Sequence, residues 1–160
     1  MPTETELKLR VESHESVRRK LKDVGASLIE TVLETNRIYD RPDGSLRKRG
    51  CGLRLRSVTP RDGSAGRTTL TFKGRRLATA FKSREELEIG VDDAETAARM
   101  LEQLGFVAML CYQKRRESWR VGGCRVELDE PPRIGLFVEI EGPHEETIRA
   151  VQWRLGLQKL

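Results

Sequence analysis

The chain has 160 residues, of which 37% are apolar, 34% charged and 5% aromatic, with 30 basic against 25 acidic side chains and a net charge of +5. That length suits one domain, and the near-balance of charge together with periodic apolar residues excludes a disordered, collagen-like or disulfide-stapled chain. No apolar run approaches the roughly 18 residues of a membrane helix, and Met1–Arg10 carries no apolar signal core. The three cysteines, Cys51, Cys111 and Cys124, form no CxxC pair and read as reduced thiols, so a cytoplasmic protein without a membrane partner is expected.

The elements follow in chain order. Thr5, Leu7, Leu9 and Val11 alternate with Glu4, Glu6, Lys8 and Arg10, the period of a strand with one apolar face. Ser13 is placed to cap a helix that carries Val17, Leu21 and Val24 and stops at Gly25. A strand lies within Leu28–Asp40. Arg41–Gly52, rich in Gly and bases, reads as a loop. Gly52–Val58 and Arg67–Gly74 alternate again and suggest a hairpin, followed by a basic link, Gly74–Ser83. Arg84–Val91 is a further strand. Asp92 or Asp93 then caps a second helix, with Ala97, Leu101 and Leu104 on one face and Gly105 as its stop. Strands fit Phe106–Trp119, Gly123–Asp129 and Leu136–Glu141, and Pro143 opens a last helix bearing Ile148, Val151 and Leu155. The total is about eight strands and three helices. A faint repeat is visible: each half holds a charged strand, a helix ending in Gly, then further strands.

The charges concentrate on one face of the strands, because side chains two apart share a face. That face carries Glu4, Glu6 and Lys8; Arg54 and Arg56; Lys73; Arg84, Glu86 and Glu88; Lys114 and Arg116; Arg125, Glu127 and Asp129; Glu139 and Glu141. A solvated sheet face explains any one strand. It explains the set less well, since like charges stacked two apart repel unless neutralised. Carboxylate pairs are neutralised by a hard cation such as Mg²⁺ or Mn²⁺, and arginine pairs by phosphate. If the sheet curls with this face inward, it becomes a barrel with a charged lumen.

Eight ordered motifs carry a family resemblance. They are Glu4-Thr5-Glu6-Leu7-Lys8 (ExExK) with Asn36–Asp40, Leu53–Arg56, Thr71–Gly74, Ser83–Glu88, Leu104–Phe106, Lys114–Arg116, and Leu128-Asp129 continuing into Gly135–Gly142. In this series the chain resembles the CYTH proteins, or triphosphate tunnel metalloenzymes, over nearly its whole length, most closely the class IV adenylyl cyclase branch. The resemblance implies an α+β fold, an eight-stranded antiparallel β-barrel with helices outside, as a single domain over residues 1–160. It implies that Lys8, Arg54, Arg56, Lys73, Lys114 and Arg116, with Arg84 as an added contact, hold a triphosphate. Glu4, Glu6, Glu139 and Glu141 would hold Mg²⁺ or Mn²⁺, with Asp129 near it. Glu4, Glu6, Lys8 and Arg56 would be the catalytic set, and Glu86, Glu88, Arg125 and Glu127 further lumen residues.

The implied substrate is a small molecule bearing a triphosphate: ATP cyclised to cyclic AMP, or tripolyphosphate or thiamine triphosphate hydrolysed. The same wall serves cyclisation and hydrolysis. A non-catalytic polyphosphate- or nucleotide-binding module is the alternative of a different class. Nucleic acid is not expected as a partner, since the few aromatics give no stacking platform. Other residues receive plainer readings. His14 and His144 are expected at the surface, Trp119 and Trp153 in packing, Asp40 in a structural role, and Arg47-Lys48-Arg49 in solvent. Cys124, in a Gly-Gly-Cys turn, is no nucleophile. Arg115 and Glu117 fall on the outer face, where a homodimer contact stays open.

Overall fold

A computed structural model describes residues 3–77 and 81–158, the side chain of Lys82 excepted. Part of the basic Gly74–Ser83 link therefore lies outside the described residues. Eight strands close into a barrel: β1 (Thr3–Val11), β2 (Ser27–Asp40), β3 (Gly52–Pro60), β4 (Arg67–Arg76), β5 (Lys82–Val91), β6 (Val107–Val121), β7 (Cys124–Glu130) and β8 (Leu136–Gly142). Their order around the barrel is β1-β5-β4-β3-β2-β6-β7-β8, every neighbouring pair antiparallel. Closure leaves no sheet edge unpaired. Outside it lie α1 (His14–Asp23), α3 (Ala94–Gln103) and α4 (Glu145–Arg154). A single helical turn, α2 (Ser45–Lys48), stands where the sequence reads as loop. Asp40 builds that turn: its carboxylate accepts from the backbone N–H of Arg41, Leu46 and Arg47. Those three bonds hold its pKa below the usual range although burial pushes it up.

The faint repeat is a physical one. In β1-α1-β2-β3-β4 and β5-α3-β6-β7-β8, the helix occupies the same place. Both helices have ten residues and a side-chain cap, Ser13 accepting from the Ser16 N–H and Asp93 from the Thr96 N–H. Both end in the same double hydrogen bond: Ala26 to Leu21 with Gly25 to Lys22, and Phe106 to Leu101 with Gly105 to Glu102. That closure needs a left-handed residue, which Gly25 (φ +77°) and Gly105 (φ +93°) supply. The two halves exchange first strands. β1 pairs with β8 of the second half, and β5 with β4 of the first.

The apolar strand face points outward. The larger core gathers Val11, Val126, Leu128, Val138 and Ile140 of the wall beneath Val17 and Leu21 of α1 and Ile148 and Val151 of α4. Each such residue, once buried, contributes about 1.5–3 kcal/mol. A smaller core sets Ala98 and Leu101 of α3 on Tyr39 and Leu55. Glu117 is no free surface residue. It takes two bonds of 3.1 Å from Arg18 Nε and one of 2.7 Å from Trp119 Nε1, tying α1 to β6. His14 is buried rather than exposed, with Nε2 2.9 Å from the Phe137 carbonyl oxygen, because the first turn of α1 lies against β8. Trp119 is buried as expected, but Trp153 is 70% exposed, on the outer face of α4. Among the described residues, no helix is long and apolar enough to cross a membrane.

Candidate active site

Outward apolar residues force the alternate positions inward, and these line a cavity of about 450 Å³ inside the barrel. Its wall brings together Glu4, Glu6, Lys8, Arg54, Arg56, Lys73, Glu86, Glu88, Lys114, Arg116, Arg125, Glu127, Glu139 and Glu141. The charged face is therefore a lumen and not a solvated sheet. Two expected members are not part of that wall. Arg84 lies opposite Glu4 in the ladder, beside the break in register between Lys73 and Arg76 of β4, and is not among the cavity-lining residues. Asp129 is only 1% exposed and sits behind the wall, engaged by its cations.

The deepest part is cationic and built on carboxylates. Arg116 donates through Nε (2.7 Å) and Nη2 (2.6 Å) to the two oxygens of Asp129, and through Nη2 to Glu139 at 3.2 Å. Lys114 Nζ lies 3.1 Å from Asp129. Burial alone would lower the Arg116 pKa, yet the Asp129 pair holds it well above its ordinary value. Burial and the neighbouring Arg116 push Lys114 down. Arg56 falls to about 10, chiefly through burial and then repulsion from Arg54, and stays cationic at neutral pH.

A second buried carboxylate holds this group, and the sequence did not single it out. Glu34, on β2, is 2% exposed. It lies 3.2 Å from Arg56, 3.6 Å from Arg116 and 3.8 Å from Lys114. Its neighbour two along, Asn36, accepts from Arg56 Nε at 2.7 Å. β2 also contributes Glu30 and Val32 to the wall; Val58, Arg67, Thr69 and Tyr112 complete it. The missed signal is parity: Glu30, Val32, Glu34 and Asn36 share a face, but a Val among them hides the charged pattern.

Facing the cations is a carboxylate cluster. Lys73 Nζ reaches Glu4 at 3.0 Å and Glu86 at 3.7 Å. Burial raises Glu4, but a hydrogen bond with Glu86 and the charges of Lys73 and Arg54 outweigh it and hold the pKa at about 2. Glu86 is pushed up to about 7 by burial and by Glu4. Burial, with Glu4 and Glu127 nearby, also raises Glu141. Two adjacent carboxyl groups thus share one proton, as like charges must when no cation lies between them. Among the described residues, Arg54 Nε and Glu86 Oε2 are buried without a hydrogen-bond partner. An unsatisfied donor beside an unsatisfied carboxylate oxygen fits an anion that carries a hard cation, and these oxygen donors suit Mg²⁺ or Mn²⁺. No three acidic, His or Cys side chains among the described residues are already gathered at metal-binding distance.

Comparison with known proteins agrees with this architecture. The family model of the CYTH domain matches residues 2–152. A Methanocaldococcus jannaschii protein named as a candidate adenylate cyclase is 26% identical, the match covering 86% of this chain and 75% of that one. The adenylate cyclase CyaB of Aeromonas hydrophila is 28% identical over 83% of this chain; the chain spans 64% of its length. Among solved structures, the PH1012 protein of Pyrococcus horikoshii superposes with a TM-score of 0.81 at 26% identity, covering 98% of this chain and 92% of that one. A Hippeastrum protein described as a candidate adenylyl cyclase with a dominant triphosphatase activity shares the fold, with a TM-score of 0.71 at 20% identity over 96% and 88% of the two chains. With a closed eight-stranded barrel, an inward charged face and a family match over residues 2–152, the chain belongs to the CYTH domain family.

Proposed function

We propose that this protein is a divalent-metal-dependent enzyme acting on a triphosphate, with ATP cyclised to cyclic AMP and pyrophosphate, or a triphosphate hydrolysed, in the lumen. The observation that carries this reading is the opposition of two sets in one enclosed cavity: Arg54, Arg56, Lys73, Lys114 and Arg116 against Glu4, Glu6, Glu86, Glu139 and Glu141. A triphosphate carries about four negative charges near neutral pH, since each phosphate contributes at least one. Guanidinium groups already fixed by Glu34, Asn36 and Asp129 bind it without reorganising, and fixed cations stabilise charge that develops on the leaving phosphate oxygens. Lys8, 3.9 Å from Glu139, lies where the two sets meet.

Glu4, Glu6, Glu139 and Glu141 are the residues that would hold Mg²⁺ or Mn²⁺, with Glu86 beside them. A bound metal would supply Lewis acidity toward the phosphate oxygens. Asp129 serves the site by orienting Arg116 and Lys114. Cyclisation is the first choice because both curated relatives are named as adenylate cyclases, one of them as a candidate. The test is turnover of ATP, tripolyphosphate and thiamine triphosphate with Mg²⁺ or Mn²⁺, products separated. Cyclic AMP from ATP supports the cyclase. Orthophosphate alone identifies a triphosphatase. Tight binding without turnover would replace the enzyme by a binding module.

A further inference from the structure

The internal repeat holds down to single outward positions. With Ser13 matched to Asp93 and Gly25 to Gly105, Leu7 falls on Leu87, Leu9 on Ile89 and Val24 on Leu104. The ladders carry the match into the neighbouring strands. Leu7 and Leu9 pair with Ile140 and Val138 of β8, and these with Val126 and Leu128 of β7. Leu87 and Ile89 pair with Phe72 and Leu70 of β4, and these with Leu53 and Leu55 of β3. Every one of these matched positions is apolar in both sets. Their cover differs. α4 lies across β8, β1 and β7 and sets Ile148, Val151 and Leu155 into the core built on that wall, where Val126, Val138 and Ile140 are fully buried. Among the described residues, the wall of β3, β4 and β5 has no counterpart of α4, since β8 leads into that helix and β4 into the link to β5.

The exposed apolar residues of this region fall where α4 would lie. Leu87 is 42% exposed and Ile89 62%, whereas Leu7 and Leu9 pack on the larger core. Leu104 is 64% exposed; its match Val24 packs on that core, and the Val24 carbonyl oxygen accepts from Arg154 of α4 at 3.2 Å. Met100 is 60% exposed; its match Lys20 lines a groove with Leu155 and Leu157, at the end of α4 and just after it. A contiguous apolar patch on an otherwise charged surface marks an interaction site. Its shape is a groove, with β4 and β5 as the floor and the Met100–Leu104 flank of α3 as one side, which a helix fills better than a second convex barrel does. Its charge agrees. Gly74 stands in the place of Gly142, just before the start of α4. Here Arg49 and Arg75, both exposed, line a cleft of about 560 Å³ with Phe72, Leu77 and Glu85. α4 itself opens with Glu145 and Glu146. A helix laid on this wall as α4 lies on its own brings its first turn to two arginines, where acidic side chains are favoured both by those cations and by the helix N-terminus.

We propose that the outer wall of β3, β4 and β5, between α3 and the Arg49–Arg75 rim, is a docking site for an amphipathic helix of a partner protein. That helix is apolar at the i, i+3 and i+7 spacing of Ile148, Val151 and Leu155 and acidic in its first turn. The site lies outside the barrel and does not depend on what the lumen binds. Burial of Leu87, Ile89, Met100 and Leu104 supplies the affinity, and the arginine rim sets the direction in which the helix lies.

The probe is a fluorescent peptide with the sequence of residues 143–158, whose apolar stripe the matched wall already accepts. It is titrated by anisotropy against the full chain as wild type, Ile89→Asp and Arg75→Glu, with melting temperatures measured on the same samples. Both side chains are exposed and outside the lumen, so the variants are expected to fold. The expected result is saturable binding to the wild type that Ile89→Asp weakens roughly tenfold or more, since a carboxylate beneath an apolar stripe is buried without a partner. Arg75→Glu should weaken it about two- to fivefold, the size of an exposed ion pair. A peptide with Glu145→Lys and Glu146→Lys should recover that loss on Arg75→Glu. Equal binding by the wild type and Ile89→Asp would put the peptide elsewhere and overturn the site. So would no binding up to about 1 mM peptide. Sedimentation of the protein alone tests the other occupant: a dimer that Ile89→Asp dissociates would give this face to a second copy and overturn the helix. Turnover is read separately. A protein that binds the peptide as expected but processes no triphosphate keeps the docking site and loses the enzyme.

Discussion

The two halves of the barrel share a fold and differ in the sign of their charge. β3 and β4 of the first half turn Arg54, Arg56, Arg67 and Lys73 into the lumen. Their counterparts in the second half, β7 and β8, turn in Glu127, Glu139 and Glu141 alongside Arg125, with Asp129 behind. Where the halves meet along β2 and β6 the signs reverse, and Glu30 and Glu34 face Arg116 and Lys114. The helices, caps and glycine stops are alike on both sides. The repeat therefore builds the container, and the departures from it build the chemistry. A symmetric lumen would hold either an anion or a cation. This one presents opposite signs side by side, which suits the metal-bridged polyphosphate proposed above.

The largest expected effect comes from removing the anionic wall. Glu4→Gln or Glu6→Gln should reduce turnover many-fold while the fold survives, since a metal's contribution to a phosphoryl barrier is on the order of several kcal/mol. Near-normal rates at saturating Mg²⁺ and Mn²⁺ in both variants would reject the metal assignment. Next is Arg116→Ala. It leaves Asp129 buried without its main partner and Glu34 without one of its three cations, and breaking such a network costs about 3–5 kcal/mol. Denaturant titration should show it, and a loss below about 1 kcal/mol would mean that water reaches these carboxylates.

Arg56→Ala and Arg115→Ala test inside against outside. Arg56 is held in the lumen, whereas Arg115 lies on the exposed face of β6. Loss of an inward charge-assisted contact, worth about 1.5–3 kcal/mol, should cut kcat/KM roughly ten- to a hundredfold at Arg56 and little at Arg115. Equal effects at both would contradict a phosphate-binding lumen.

How much of this was legible follows from parity. Strict alternation of charged and apolar residues placed Glu4, Glu6, Lys8, Arg54 and Arg56 correctly, because one face of each strand had to meet a core. Where the inward face is mixed, as at Glu30, Val32 and Glu34, alternation has no contrast and the carboxylates that hold the cations went unread. Arg84 shows the opposite limit. Its parity matches that of Glu4 opposite it, yet it lies off the cavity wall, beside a break in register that sequence spacing does not record. Asp129 was readable as inward but not as a support, since only the cross-strand pairing with Arg116 reveals which group uses its oxygens. His14 and Trp153 exchanged expected environments because helix rotation, not residue type, decides which side chain meets the barrel.

Protonation gives a smaller effect that also divides the halves. Glu86, raised to about 7, takes up a proton in the folded state that the unfolded chain releases near 4.5. Its contribution to stability is complete below about 4.5 and is lost as pH rises through 7. Glu4, lowered to about 2, contributes above 4.5 and loses that contribution as pH falls. Metal-free protein should therefore show a declining melting temperature from pH 5 to 8, with Glu141 adding in the same direction. Glu86→Gln should flatten that decline; an unaltered slope would place the titrating group elsewhere. The smallest effect tests the repeat itself. Gly25→Ala and Gly105→Ala each force a left-handed alanine, with no atom closer than 3.6 Å to the new methyl. Each should cost about 1 kcal/mol, and a clear inequality on thermal melting would show that the two stops carry different loads.

The exchange of first strands reaches beyond the site's geometry into the way the molecule is made. β1 is the first strand of the barrel and its ladder partner β8 the eighth, with Leu7 set against Ile140. Glu4, Glu6 and Lys8 can meet Glu139 and Glu141 only after the six intervening strands have been synthesised. A contact of that sequence span is slow to form, because a long loop must close before it is rewarded. Until then the outward apolar face of β1 has no permanent cover, and the lumen is open along one seam. A truncated or stalled chain thus holds the cationic strands without the completed carboxylate wall. Assembly order leaves the charged lumen open until β8 has been made, so the eighth strand of the barrel is the one that closes it.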